Sequence, residues 1–287
     1  MQKISVVIPT FNSVKTLGEL LAALARQDGA SRVDVVISDN GSTDGTQALA
    51  RTFISQLPGL IVVDSSAVRG AAHARNVGVE VATGEAILFC DGDDVVGPGW
   101  LPAMEAALVD HPFVAARLEH RLLNSWTFGF FGEPQRESLP NTEPPFLPFA
   151  WGGTIGVRRD LHLAIGGFDE SLRAGDDCDY SYRVQLAGAA LHFVPDAVVH
   201  YRHRQSLPEI FRQSRRFGHS SAVLLGRYRD RGMQRPSQAR ALASWLSLPL
   251  RAPFEGLSRV GRARCISRFG WRLGRVEGSL ETRVLCL

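Results

Sequence analysis

The chain has 287 residues, 45% of them hydrophobic and 21% charged. That composition excludes a disordered, collagen-like or disulfide-scaffold protein, and the length allows a sizeable core. Net charge is +3, but residues 1–200 hold 14 basic against 24 acidic side chains and residues 201–287 hold 18 against 5. An acidic body with a basic tail points the tail towards a polyanionic surface. All but two of the basic residues, Lys3 and Lys15, are arginines, a bias that codon usage accounts for. Cys90, Cys178, Cys265 and Cys286 show no CxxC spacing, which argues against a metal cluster or disulfide framework and suits a reducing compartment. The opening MQKISVVIPT is too short an apolar run for a signal peptide and is interrupted by Pro9. No window approaches the roughly 18 apolar residues of a membrane span. The expectation is a cytoplasmic protein, with the tail able to hold it peripherally on the inner face of a membrane.

The first 110 residues alternate short β-branched runs with helical periods. ISVVI (4–8) reads as a buried strand ending at the turn residues Pro9, Asn12 and Ser13. Thr16 and Glu19 are spaced as a capping box opening a helix, with Leu17, Leu20, Leu21 and Leu24 on one face. There follow a strand over 33–38, a helix through Leu49 and Phe53, a strand over 60–64, a helix over 71–82, a strand over 85–90 and a helix near 100–109 with Pro98 close to its start. Repeated βα units predict a parallel sheet flanked by helices, with ligands at the carboxyl ends of its strands. Residues 122–150 break the pattern. Trp126, Phe128, Phe130, Phe131, Phe146 and Phe149 lie there among Pro134, Pro140, Pro144, Pro145 and Pro148, as a substrate-covering loop or a packed excursion. Beyond it the pattern predicts a strand over 153–157, a helix over 176–187, and strands over 190–194 and 197–202. The arginine-rich 206–287 segment reads as helices interrupted at Pro236, Pro249 and Pro253.

Four strand ends carry polar clusters: PTFN (9–12), DNGSTDGT (39–46), RGAAHARNVG (69–78) and DGDD (91–94). An acidic residue at a strand end can hydrogen-bond a ribose or base, and an arginine can hold phosphate bidentately. Asp91 and Asp93, two apart on a turn, can share a hard cation that also binds a diphosphate. Each cluster alone is equally an ordinary acidic turn or the lead into a helix cap.

Their order is more specific. VVIPTFN, DNGSTDGT, GAAHARNVG, FCDGDD, GGFDE (166–170) and GDDCDYSYRVQLAG (175–188) follow one another over about residues 3–205. In this the chain resembles the family 2 glycosyltransferases, inverting enzymes that take their sugar from a nucleotide-sugar. The resemblance implies an α/β, GT-A-type (Rossmann-like) fold with a mainly parallel sheet and a basic helical C-terminal extension. Residues 1–205 would form the catalytic domain, with a nucleotide-sugar-binding half (1–110) and an acceptor-side half (111–205), and 206–287 the extension. It implies that Pro9, Thr10, Phe11, Asn12 and Asp39 line the base pocket and that Arg75 lies close to the donor nucleotide. Asp91 would face the ribose, and Asp93 would bind Mg2+ or Mn2+ across the diphosphate. Asp177 would be the general base, taking the proton of the attacking acceptor hydroxyl; the local alternative is that Asp176, Asp177 and Asp179 cap a helix. A nucleotide-diphospho-sugar, a UDP-sugar first, is the implied donor, and a glycan or lipid-linked molecule the acceptor.

Two positions depart from the family pattern: Asn40 stands where an aspartate is usual, and Asp176 where a glutamate is usual. His200, at a strand end, is either an additional metal ligand or structural. Trp151, before Gly152 and Gly153, is either an acceptor-stacking platform together with Asp176 or a core residue. His203 stands beside His200 in VVHYRHR (198–204) and is the less well placed of the two, while His73, His111, His120, His162, His192 and His219 have no motif behind them. In the tail, arginines alternate with Trp245, Leu246, Leu248, Leu250, Phe254, Phe269, Trp271 and Leu273. That suits an anionic membrane interface or a basic face packed on the catalytic domain. No nucleic-acid-binding motif is present. A nucleotidyltransferase would want a glycine-rich basic loop after the first strand, which PTFNS does not offer. A binding module with a lapsed active site is the non-enzymatic alternative, against which the retention of Asp91, Asp93 and Asp177 speaks.

Overall fold

The computed structural model describes residues 3–127, 138–142 and 144–286. Strands β1 (Ile4–Thr10), β2 (Asp34–Asp39), β3 (Leu60–Asp64) and β4 (Ala86–Phe89) run parallel, joined through α1 (Leu17–Ala25), α2 (Thr46–Arg51) and α3 (Ala71–Val81). After β5 (Val95–Val96) and α4 (Trp100–Asp110), the sheet continues with β6 (Phe113–Glu119), β7 (Ile155–Arg158) and β8 (His192–His200) in the order β3-β2-β1-β4-β7-β6-β8-β5. β7 is antiparallel to both β4 and β6, so the sheet is mixed, with its parallel half at the N-terminal end of the chain. Along β1, Ile4, Val6 and Ile8 face a core formed with the leucines of α1 and with Trp100, whereas Val7 faces a second core with Ile87, Phe89 and Val79. Both faces are covered, which is why the strand reads as a near-continuous apolar run.

The expected elements of the first 110 residues are present, with local differences. The Thr16–Glu19 capping box does not form. Thr16 Oγ1 instead donates to the carbonyl of Gly92 (3.0 Å), and Glu19 pairs with Arg202. The box that does form is Ser206–Glu209, opening α7 (Leu207–Tyr228). Helix α2 ends before Phe53. The two strands expected over 190–202 are a single β8. Its register jumps from Val194 to Val198, because Pro195 has no N–H to give to the ladder. Strand β6 went unpredicted: Ala115 and Ala116 weaken its β signal. So did β5, only two residues long, and α5 (Arg159–Ala164). Phe128, Phe130, Phe131 and Pro134 lie outside the described residues.

The tail forms α7, α8 (Gln238–Glu255) and α9 (Arg259–Thr282), and Pro249 and Pro253 fall inside α8 instead of ending it. Glycines let α7 and α9 approach to backbone contact: a Cβ on Gly218 would sit 1.9 Å from the Trp271 carbonyl oxygen, and one on Gly274 1.9 Å from that of Arg215. Leu224, Leu225 and Tyr228 of α7 share a core with Cys178 and Tyr182 of α6 (Asp176–Leu186) and with Phe149. Arg227 reaches from α7 to Asp169 (2.6 Å) and Asp179 (2.7 Å). The first tail helix is thereby fixed onto α6 and the segment before it. No helix among the described residues is long and apolar enough to cross a membrane, and the four cysteines are free thiols.

Candidate active site

A cavity of about 990 Å³ opens at the carboxyl ends of β1 and β4, lined by Pro9, Thr10, Phe11, Asn12, Arg75, Asp91 and Asp93 among others. Its wall is built by two loops that clamp each other. Asn12, held at φ 50°, gives its N–H to Ser42 Oγ (2.8 Å), and its Oδ1 accepts from Thr43 N (2.9 Å). An amide side chain tolerates this left-handed backbone better than most. Asp39 lies beneath the lining, fully buried. Burial alone would raise its pKa, but hydrogen bonds from Ser42, Gln47 and Thr10 outweigh it and hold the carboxylate below its ordinary value. Phe11 is half exposed at the mouth, with the Arg69 guanidinium 5.6 Å from its ring centre.

Asn40 explains its own departure from the family pattern. Its amide nitrogen donates to the carbonyls of Ser65 and Val68, and its oxygen accepts from Gly70 N (3.0 Å). An aspartate has no N–H to supply the first two bonds. Asn40 therefore fixes the loop that leads into α3.

Helix α3 carries the residues that join the two halves of the sheet. Arg75, with a side chain only 6% exposed, gives Nη2 to Asp91 (2.7 Å) and Nη1 to Asp176 (2.9 Å). The fork of a guanidinium suits two carboxylates on separate loops. Its neighbour Asn76 donates to the Phe168 carbonyl (2.9 Å) and Glu170 Oε1 (2.8 Å), and accepts from Phe168 N (2.8 Å). Thus the ARN and GFDE motifs are the two sides of one clamp. Gly152 and Gly153 press against it: a Cβ on Gly152 would lie 2.4 Å from Arg75 Nη2, and one on Gly153 3.0 Å from Asp91 N.

Asp177 stands at the first turn of α6, after Gly175 at φ 73°. Its Oδ1 accepts from Cys178 N (2.8 Å) and its Oδ2 from Gly152 N (3.3 Å). Burial, reinforced by the charge of Asp176, pushes its pKa up to about 6, against the opposing pull of Arg75. A carboxylate with that proton affinity is suited to accept a proton near neutral pH. Asp177 is not itself in the lining of the 990 Å³ cavity; it lies behind Arg75, on the Gly152 side. Asp176 is taken up by its ion pair with Arg75. Trp151 is half-buried against Phe149, with ring centres 4.8 Å apart, and also lies outside that lining.

Asp93 pairs with Arg204 (3.0 Å), while burial and the nearby Asp91 raise its pKa despite that arginine. Asp94 is buried and accepts from Arg202 N (2.9 Å), and Arg202 Nε reaches the Asp93 carbonyl (2.8 Å). Among the described residues no three or more His, Cys, Asp or Glu side chains cluster as metal ligands. Magnesium-type sites often use one or two carboxylates and complete the shell with substrate phosphates and water. The Asp91–Asp93 pair, hard oxygen donors lining the cavity, fits that pattern. His200 faces away from it: its Nδ1 lies 2.8 Å from Glu119 Oε2, and it is absent from the lining, whereas Arg202, His203 and Arg204 are present. These arginines were missed in the sequence because VVHYRHR draws the eye to its histidines, and its arginines look like part of the basic tail.

Comparison with known proteins identifies the family and the fold. The family model described as Glycosyl transferase family 2 matches residues 5–166, and that described as Glycosyl transferase family group 2 matches residues 86–266. The chain is 27% identical over 300 residues to the pre-mycofactocin glycosyltransferase of Mycobacterium tuberculosis, covering 98% of this chain but 59% of that protein. It is 28% identical over 205 residues to glycosyltransferase AglE of Haloferax volcanii, covering 68% and 65% of the two chains. Among solved structures it is similar to a mannosyltransferase of Pyrobaculum calidifontis in complex with GDP-Man and Mn2+ (TM-score 0.63, 21% identity, 95% and 87% covered). It is also similar to S. aureus TarS in complex with UDP-GlcNAc (TM-score 0.58, 20% identity, 97% and 91% covered). At these identities the structural likeness establishes the fold, which is that of GT-A glycosyltransferases. With more than half of its length matched by the family model, the chain belongs to glycosyl transferase family 2.

Proposed function

We infer that the protein moves a sugar from a nucleotide-diphospho-sugar to an acceptor hydroxyl with inversion at the anomeric carbon, in glycan or polysaccharide assembly. The observation that carries this is Arg75, whose one guanidinium ties the Asp91–Asp93 turn to the first turn of α6, which holds Asp176 and Asp177. It holds the donor-binding turn and the base at a fixed separation. The acceptor oxygen attacks the anomeric carbon as the bond to the diphosphate breaks. Asp177 takes the acceptor proton, and the nucleoside diphosphate leaves with the bonding pair. Phe11 and the 9–12 loop would cover the base, Asp39 would position that loop from below, and Asp91 would face the ribose. Asp93, with Asp91, would hold Mg2+ or Mn2+, which offsets the charge of the departing diphosphate. A UDP-sugar is the first donor to test, since relatives of the fold are solved with UDP-GlcNAc and with GDP-Man and Mn2+.

A thermal-shift screen of UDP-, GDP- and dTDP-sugars with and without Mn2+ tests this. One nucleotide should stabilise the protein only with the ion, and Asp93→Ala should abolish that dependence. Equal stabilisation of Asp93→Ala would remove Asp93 from the ion site.

The tail supports a second element, a lipid-linked acceptor met at an anionic membrane surface. Leu242, Leu246, Leu250 and Phe254 recur every fourth residue along α8 and are 62%, 62%, 72% and 78% exposed. Such spacing makes one continuous apolar face, and the exposed Arg262 and Arg264 follow on α9. An apolar stripe beside cationic side chains suits the interface of an anionic bilayer. Leu246→Glu with Leu250→Glu should reduce sedimentation with phosphatidylglycerol vesicles severalfold. Unchanged sedimentation would assign the stripe elsewhere.

A further inference from the structure

A second cavity, of about 580 Å³, shares Arg204 and Glu209 with the donor cavity and runs along α7. Its wall brings together Arg173, Arg212, Arg215 and Arg216. Arg215 is neutralised by a bidentate pair with Glu277 (2.6–3.0 Å), and Arg204 by Asp93. Glu209 is occupied in the Ser206 cap. Arg173, Arg212 and Arg216 form no ion pair within 4.0 Å among the described residues, Glu209 feels the charge of Arg212 without pairing with it, and Arg212 gives its Nε to the Pro208 carbonyl (3.3 Å). Arg173, Arg212 and Arg216 thus share one concavity with only the Glu209 charge near Arg212 to offset them, and a bound anion relieves their repulsion while receiving charge-assisted hydrogen bonds.

The position of the cavity says which reactant the anion belongs to. Arg173 and Ala174 lead straight into Gly175, Asp176 and Asp177, and the Gly175 turn abuts α7: a Cβ there would sit 3.0 Å from Ser220. The arginine cavity therefore adjoins the donor cavity at Arg204 and Glu209, and at Arg173 and Ala174 it reaches the segment that leads into the first turn of α6. We propose that it binds a phosphate group of the acceptor, holding the acceptor so that its hydroxyl meets Asp177. The proposal rests on the glycosyltransferase reading for the word acceptor, but the phosphate site stands on its own residues. The same phosphate chemistry is available from a sugar phosphate or from a lipid phosphate.

The test is calorimetric titration of the full chain with glucose 6-phosphate, and separately with dihexanoyl phosphatidic acid below its micelle concentration. Both are run with the donor cavity filled by Mn2+ and the nucleoside diphosphate chosen by the thermal-shift screen. Arg212 and Arg216 are exposed, so Arg212→Gln/Arg216→Gln should fold as the wild type does. Losing two charge-assisted contacts should weaken phosphate binding by about tenfold or more, with nucleotide stabilisation unchanged. Binding of the sugar phosphate alone would identify a soluble phosphorylated acceptor, and binding of the lipid alone a lipid-linked one. If neither probe binds, or the double variant binds as tightly as wild type, the phosphate site is wrong. If no nucleotide stabilises the protein yet phosphate binding still falls in the variant, the glycosyltransferase reading fails and the phosphate site survives.

Discussion

Replacing Asp177 by Asn should lower sugar transfer by about a hundredfold to ten-thousandfold, the usual contribution of a positioned base, while nucleotide binding stays at the wild-type level. The asparagine keeps the shape of the side chain and one acceptor oxygen, best placed on the shorter bond from Cys178 N (2.8 Å), and gives up only the longer one from Gly152 N (3.3 Å). What it loses is the ability to take a proton. The wild-type pH profile is a second signature of the same group. The pKa of Asp177 is held near 6 by burial and by Asp176, and only the ionised form is a base. Transfer should therefore fall as pH drops through about 6 and level off above it. Asp177→Asn should flatten that limb. A variant that retains wild-type turnover would take the base role away from Asp177.

The second large effect is expected at Arg75. Arg75→Met removes the cation between Asp91 and Asp176 and leaves two carboxylates facing one another in a largely buried place. Removing one partner of a buried ion pair costs about 3–5 kcal/mol, and the lower end applies because Asp91 keeps partial solvent contact. The sign with pH follows from the charges left behind. Burial already raises the proton affinity of Asp176 against the pull of Arg75, and without the guanidinium it rises further in the folded chain relative to the unfolded one. The deficit is then full at neutral pH and shrinks as pH falls and Asp176 protonates. Denaturant melts at neutral and acidic pH measure both halves of this, and an equal deficit at the two would contradict it. Arg75 also lowers the pKa of Asp177, so the acid limb of any residual activity should move to higher pH. A residue that merely filled space would not move that limb.

The parts of the fold legible in the sequence were those whose side chains obey one local period. The alternation of Val6, Val7 and Ile8 between two cores and the leucine face of α1 each follow from a few adjacent residues. Strand β6 escaped because its alanines are buried by neighbours distant in sequence. The Thr16–Glu19 spacing misled because tertiary partners, Gly92 and Arg202, took both side chains. In the site, the motifs marked which segments meet. They could not show that Arg75 links two of them, since its partners lie 16 and 101 residues away. Nor could they show that Asn40 anchors the loop before α3, or that Arg202 and Arg204 reach back to the Asp93 turn. Such contacts exist only once β8 has returned beside β6. The tail was open between membrane and packing: α7 packs on α6, and α8 carries an exposed apolar stripe that the vesicle experiment probes.

The most direct test of the donor site is a crystal soaked with the stabilising nucleotide-sugar and Mn2+, with data collected at the manganese absorption edge. The anomalous peak should lie between the Asp93 carboxylate and the diphosphate, with the base against Phe11 and the 9–12 loop and the sugar directed towards Asp177. A nucleotide bound elsewhere on the chain, or an ion remote from Asp91 and Asp93, would contradict the assignment of this cavity to the donor.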